Sequence, residues 1–191
     1  MTELAKGDRT RVRILDEAVD LASVQGLGGL TIGPLADRLG LSKSGLFAHF
    51  QSKEALQVET LDRAAERFRA EVTEPLRAIE DRGARLRVFF ERWIEWLDRS
   101  GLTGSCPILA AAIEFDDVPG PVRDAAARHL GELQRLIAKF ARAAKPDKDA
   151  EALAALTMGL AMSHLVRMRL LGDRKAHAVT MRAFRSLGLS N

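Results

Sequence analysis

The residues best suited to chemistry in this chain are Ser42-Lys43-Ser44-Gly45. Two small hydroxyls and one ammonium at the head of a short apolar-faced segment suit hydrogen bonding to base edges in a DNA groove. No comparable set suits catalysis. The four histidines, His49, His129, His164 and His177, are scattered, with no pair at metal-ligand spacing along a helix. Cys106 has no histidine near it in sequence and reads as a buried, inert thiol, with a redox-sensing role as the alternative. Gly26-Leu-Gly-Gly29 follows no strand, so it reads as a helix stop and not as a phosphate cradle. The chain is therefore expected to be no enzyme and to carry no metal or cofactor.

The elements around Lys43 are legible. Thr31 is a good N-cap, its hydroxyl placed to accept from an amide in the first turn. Pro34 falls within that turn, where no intrahelical bond is lost. Leu35, Ala36 and Leu39 share one face. Gly40 is free to adopt the left-handed conformation that ends a helix. Ser42 then caps a second helix, with Leu46, Phe47 and Phe50 as its apolar side. A helix-turn-helix results, its second helix set to enter the major groove by its N-terminal end. The same pattern also describes a plain helical hairpin. Ser52 offers a further cap with Lys53 in the first turn. A cation there opposes the helix dipole unless an anion, such as a DNA phosphate, shares the helix end.

From Arg11 to Leu56 the chain resembles the tetracycline-repressor (TetR) family of bacterial transcription regulators. The resemblance lies in Ile14-Leu-Asp-Glu-Ala18, Gly26-Leu-Gly-Gly-Leu-Thr31, Leu35-Ala36, Leu39-Gly-Leu-Ser-Lys-Ser-Gly-Leu-Phe47, His49-Phe50 and Ser52-Lys-Glu-Ala-Leu56. It implies an all-α fold of about nine helices: a three-helix DNA-binding head over 1–53, and a C-terminal ligand-binding and dimerisation bundle over 54–191. It further implies a homodimer on a palindromic double-stranded operator, released by a small apolar effector. Ser42, Lys43, Ser44 and Gly45 would lead the recognition helix, with Lys43 reading a base, while Thr31, Phe47, His49 and Lys53 would position the head on the backbone. Effector binding would tilt the helix that joins head to body and so change the spacing of the heads. The family usually has Tyr where this chain has Phe47, and the chain contains no Tyr. A phenol-to-phosphate bond is thus absent, leaving apolar contact.

Charge argues neither way. The net charge is +3, yet residues 1–70 hold ten Lys/Arg and ten Asp/Glu, a balance of zero. Only local placement can serve DNA, and Lys6, Arg9, Arg11 and Arg13 cluster at the first helix, either against phosphates or simply in solvent. The 47% apolar content marks a globular chain. No run approaches a membrane span and no signal-peptide core opens the chain, so a cytoplasmic protein is expected.

Besides the helix-turn-helix, helices are expected near 10–25, 53–72, 86–97, 121–144, 149–171 and 173–187, with a short apolar segment over 106–115. Leu86, Phe89, Phe90, Trp93, Ile94 and Leu97 recur at helical spacing. Phe89, Trp93, Cys106, Ile113, Phe115 and Met162 are candidates to line the effector cavity the resemblance implies; ordinary core packing is the alternative reading. Ala152, Ala155, Gly159 and Ser163 form a small-residue stripe, and with Thr180, Met181 and Phe184 on the last helix they are the candidate dimer face. Burial within one chain is again the alternative. Two other functions fit the sequence. One is a DNA-binding activator without a small-molecule ligand. The other is a helical adaptor whose hairpin no longer binds DNA.

Overall fold

The computed structural model describes residues 6–188. Among the described residues there are α-helices joined by loops and short irregular helical turns, and no strand. In order they are α1 (Lys6–Gly29), α2 (Ile32–Leu39), α3 (Lys43–Phe47), α4 (Lys53–Phe68), α5 (Arg85–Arg99), α6 (Pro107–Glu114), α7 (Pro121–Ala144), α8 (Ala150–Leu165) and α9 (Ala176–Ser186). The all-α expectation holds. Pro121 opens α7 and Ala144 ends it, as the sequence indicates.

The described residues fall into two compact units. One holds everything up to Arg67 together with Gly101–Arg128; the other holds Phe68–Ser100 and the residues from His129 onward. The helix-turn-helix therefore shares its unit with α6 and the first part of α7.

In the first unit, the first run of α1 stops near 25, as expected. Its helical geometry breaks at Gly26, where φ is 75°, and one more turn follows. The amides this break frees are taken by a distant residue: Leu27 N and Gly28 N donate to the Glu114 carboxylate at 2.9 and 2.7 Å. Gly104 lies close against α1, its amide donating to Ser23 Oγ at 2.8 Å. A Cβ at Gly104 would stand 1.9 Å from the Ser23 carbonyl oxygen, so only glycine fits. Ile14, Ala18, Leu35, Ala36, Leu46, Phe50, Leu56 and Leu61 are buried and form the core of this unit.

Two local expectations change. Thr31 occupies the N-cap of α2 with extended backbone, but its hydroxyl makes no capping bond. Phe47 does not join Leu46 and Phe50 on the buried side; it is 51% exposed. In a helix, neighbours in sequence stand about 100° apart, and Leu46 takes the inward direction.

The second unit is centred on aromatic rings. Phe68 meets Trp96, Trp93 and Phe89 edge-on, with centroids 5.2, 6.0 and 6.5 Å away. Phe90 stacks on Phe184 at 4.1 Å. Such rings bury large apolar areas in preferred geometries, which gives the unit much of its cohesion. The expected helix over 53–72 is α-helical only to Phe68; Arg69–Thr73 widens into a π-turn, and Glu74–Ala78 tightens into a 3₁₀ turn carrying Pro75. The segment after α8 widens likewise, over Val166–Leu170.

Candidate nucleic-acid interface

The turn between α2 and α3 is built as the sequence requires. Gly40 has φ 65°, the left-handed cap that lets Leu41 return its amide to the Ala36 carbonyl at 3.0 Å. Ser42 Oγ then accepts from Gly45 N at 3.0 Å, satisfying one of the free amides of α3. A Cβ at Gly45 would approach that same oxygen to 2.9 Å, so the glycine keeps the cap unhindered.

Ser42, Lys43, Ser44 and Gly45 are all exposed. The Lys43 side chain runs toward Gly33, where a Cβ would lie 3.8 Å from its Nζ. Among the described residues no carboxylate pairs with it. This matters because the cations around it are largely neutralised. Arg11 makes a bidentate pair with Glu59, Arg38 pairs with Glu17 and Asp20, and Arg63 pairs with Asp16. Of the basic cluster at the first helix, Arg13 remains exposed and without a bonded partner, while the Lys6 side chain lies outside the described residues.

Of the four expected backbone contacts, one acquires another partner and three keep their place near the surface. Lys53 Nζ donates to the Gly28 carbonyl at 2.7 Å, so its charge is already spent on the α1 turn, although the side chain stays exposed. Arg11 also donates to the His49 carbonyl and lies 4.7 Å above the Phe50 ring, which makes it a brace of the head. Phe47 and Thr31 are exposed, and His49 is half-buried.

Comparison with known proteins bears directly on this arrangement. A family model described as bacterial regulatory proteins, tetR family, matches residues 14–60. A second, described as Tetracyclin repressor-like, C-terminal domain, matches residues 83–184, more than half of the chain. The chain belongs to the TetR family. It is a DNA-binding transcriptional regulator and not an enzyme.

Among its relatives is the HTH-type transcriptional activator FasR of Mycolicibacterium smegmatis, 30% identical over 91 residues. That alignment spans 48% of this chain and 42% of the relative, less than half of either. A TetR regulator from Chloroflexus aurantiacus has the same fold, with a TM-score of 0.86 and 27% identity over 96% of both chains. A transcriptional regulator from Saccharomonospora viridis, solved in complex with choline, superposes with a TM-score of 0.76 and 24% identity over 96% of this chain and 97% of its own.

The remaining site residues of this TetR-family chain are dispersed. Of the six candidates for an effector cavity, Phe89, Trp93 and Met162 lie in the second unit and Cys106, Ile113 and Phe115 in the first. Phe89 and Trp93 are fully buried in the ring cluster, whereas Ile113 is 65% exposed. Cys106 is buried, and that burial pushes its thiol up from the ordinary range against the weaker pull of the Leu109 and Ile108 amides.

The dimer candidates divide by face. Ala152, Ala155, Gly159 and Ser163 are exposed along α8, with Leu156 between them. Thr180, Met181 and Phe184 point the other way, into the second unit, and are covered within the single chain. These three α9 side chains are covered within the single chain: Phe184 stacks on Phe90, and the Thr180 hydroxyl lies 3.3 Å from His164 Nδ1.

Two groupings had no signature in the sequence. Glu114 reaches Leu27 and Gly28 across more than eighty residues. Asp98 joins two histidines that look scattered: its oxygens lie 2.8 Å from His164 Nε2 and 2.7 Å from His177 Nδ1. Among the described residues no set of His, Cys, Asp or Glu is arranged to hold a metal ion.

Proposed function

We propose that this chain is a one-component repressor that binds a near-palindromic operator as a homodimer and is released by a small apolar effector. The observation that carries the reading is Lys43: exposed, unpaired, and set one residue after the Ser42 cap at the head of α3. An unpaired ammonium at that end suits a guanine O6/N7 edge in the major groove. Thr31, Phe47 and His49 flank it for backbone contact, and Ser44 and Gly45 allow close approach. Lys53 joins them only if it exchanges the Gly28 carbonyl for a phosphate.

The outward face of α8 supports the homodimer, since one patch serves both subunits of a two-fold pair. Two recognition helices then address half-sites about one DNA turn apart. Among the effector candidates, Phe89, Trp93 and Met162 share a unit; methionine offers adaptable lining, and the buried rings would have to part for a ligand. Choline belongs to a neighbour at 24% identity and is not carried over. A DNA-binding protein of this kind would act in the cytoplasm. An activator is the second reading, favoured by the FasR relative's designation as one.

The test is a gel shift and footprint on DNA flanking the gene for this chain, with the native protein and Lys43→Ala. Protection of a near-palindrome, weakened about tenfold or more by the substitution, supports base readout at a cost of roughly 1–3 kcal/mol. Unchanged affinity and sequence preference would remove Lys43 from that role. A promoter fused to a reporter separates the two signs: expression rises without the protein for a repressor and falls for an activator.

A further inference from the structure

The second unit contains a pocket of about 410 Å³ lined by Arg82, Arg85, Lys139, Phe140, Arg142 and Ala143. Four of these six residues are cationic, and no carboxylate lines the pocket. Arg85 opens α5 and Arg82 lies in the turn just before it, while Lys139 and Arg142 stand three apart on one face near the end of α7, so two basic pairs face one space. Among the described residues, Arg82, Lys139 and Arg142 have no hydrogen-bond or ion-pair partner. Arg85 is held in place by its bonds from Nε and Nη2 to the Ile79 carbonyl, at 3.0 and 2.8 Å, which leave its Nη1 unclaimed.

Glu80 and Asp147, though close in sequence, are not among the lining residues. Asp81 accepts from the Gly83 amide at 2.8 Å, and Asp149 caps α8 by accepting from Glu151 N and Ala152 N. Four like charges around one concave space repel one another, and an anion within it relieves that repulsion. Among the described residues Arg13 and Lys43 are also unpaired but stand singly, whereas here four cations line one space. Phe140, packed on Phe89 with centroids 5.9 Å apart, gives the pocket a fixed apolar wall. The volume is that of a small-molecule site, and guanidinium forks match phosphate oxygens two at a time.

We propose that this pocket binds a small anion bearing two or more phosphate groups, of about nucleotide size. None of its four cations belongs to the DNA-reading set or to the effector candidates, although Phe140 borders the ring cluster through Phe89, so the site stands whether or not either reading holds. Arg82 and Arg142 would grip the phosphates, Lys139 would add charge, and the fixed Arg85 would orient them.

The experiment is calorimetric titration of the full chain with inorganic pyrophosphate and, separately, with ADP. The native protein is compared with Arg82→Ala/Arg142→Ala and with Arg82→Lys/Arg142→Lys. Both side chains are exposed, so the fold should persist, and circular dichroism and thermal melting check it. We expect saturable one-to-one binding, weakened about tenfold or more by the alanine pair and less by the lysine pair. Binding of pyrophosphate as tight as ADP assigns the recognition to phosphate alone; tighter ADP assigns part of it to the nucleoside against Phe140. Either result supports the site. The proposal is overturned by absence of saturation at millimolar ligand, or by binding that ignores the alanine pair. It is equally overturned if random-sequence duplex DNA displaces pyrophosphate and loses its own affinity in the alanine pair, since the cations would then be a DNA-backbone contact.

Discussion

Single residues decide how firmly the head can hold DNA. Phe47, the last residue of α3, is exposed but its side chain has no polar atom with which to meet a phosphate. Phe47→Tyr adds one hydroxyl at a position with room for it. We expect two- to tenfold tighter DNA binding by gel shift, the gain of about 0.5–1.5 kcal/mol from one hydrogen bond. No gain would mean that this side chain does not face the backbone. Cys106 carries the opposite expectation. Its thiol is buried and held up from the ordinary range by that burial, so the reactive thiolate is scarce. Alkylation by iodoacetamide should be at least about tenfold slower in the native protein than in urea; equal rates would revive a sensing role. The Ser42 cap and the Gly40 turn were legible in the sequence because caps and turns are local. The roles of Lys53 and Arg11 were not. Their partners, Gly28 and Glu59, lie far along the chain, and a cation in a sequence does not announce which carbonyl or carboxylate it will meet.

At the level of elements, the breaks at Gly40, Pro121 and 145–148 could be read, because glycine and proline act on the backbone directly. The π-turns at Arg69–Thr73 and Val166–Leu170 could not, since a widened turn is a response to packing and not to local propensity. Nor could the joining of α6 to α1. It rests on Glu114 at one end of α6 and, at the other, on the 101–105 loop, where Asp20 accepts from the Thr103 amide at 2.8 Å. Asp20 titrates in a telling way. Burial, the largest single influence, pushes its carboxyl up, but the Thr103 amide and hydroxyl and Arg38 together outweigh this and hold it below the ordinary aspartate range. A carboxyl lowered in the folded state stabilises fully above its unfolded value of about 4, and that stability is lost as pH falls through the folded value. Urea midpoints of the native protein should therefore fall between about pH 5 and pH 2, and Asp20→Asn should flatten part of that slope while lowering stability at pH 7. An unchanged slope would show that the Thr103 and Arg38 contacts contribute nothing to folding.

At the scale of the whole molecule, α8 is the element that one chain leaves unfinished. Leu153, Ala154, Thr157, Ala161 and His164 face inward, yet the opposite side is also apolar, with Ala152, Ala155, Leu156 and Gly159 exposed and Leu156 itself at 51%. A helix apolar on both sides is stable when both are covered. Small residues permit a second helix to approach closely, and a two-fold pair would set the same stripe against its copy. The sequence showed the stripe. It did not show that Thr180, Met181 and Phe184 belong to the interior, because helical spacing gives a face but not its direction. Gly159 is the sharpest probe. A Cβ built there meets nothing within 4 Å, so a side chain fits the single chain without strain. Gly159→Glu should leave thermal unfolding of the protomer near its native value, or raise it slightly as glycine leaves a helix interior. If α8 pairs with its copy, the same substitution buries two like charges against each other and should weaken the dimer by on the order of a hundredfold or more. Light scattering on a size-exclusion column would then report a monomer, and operator binding would lose the gain of two linked half-sites. A variant that remains dimeric, with the carboxylate accommodated, would place the interface on another face.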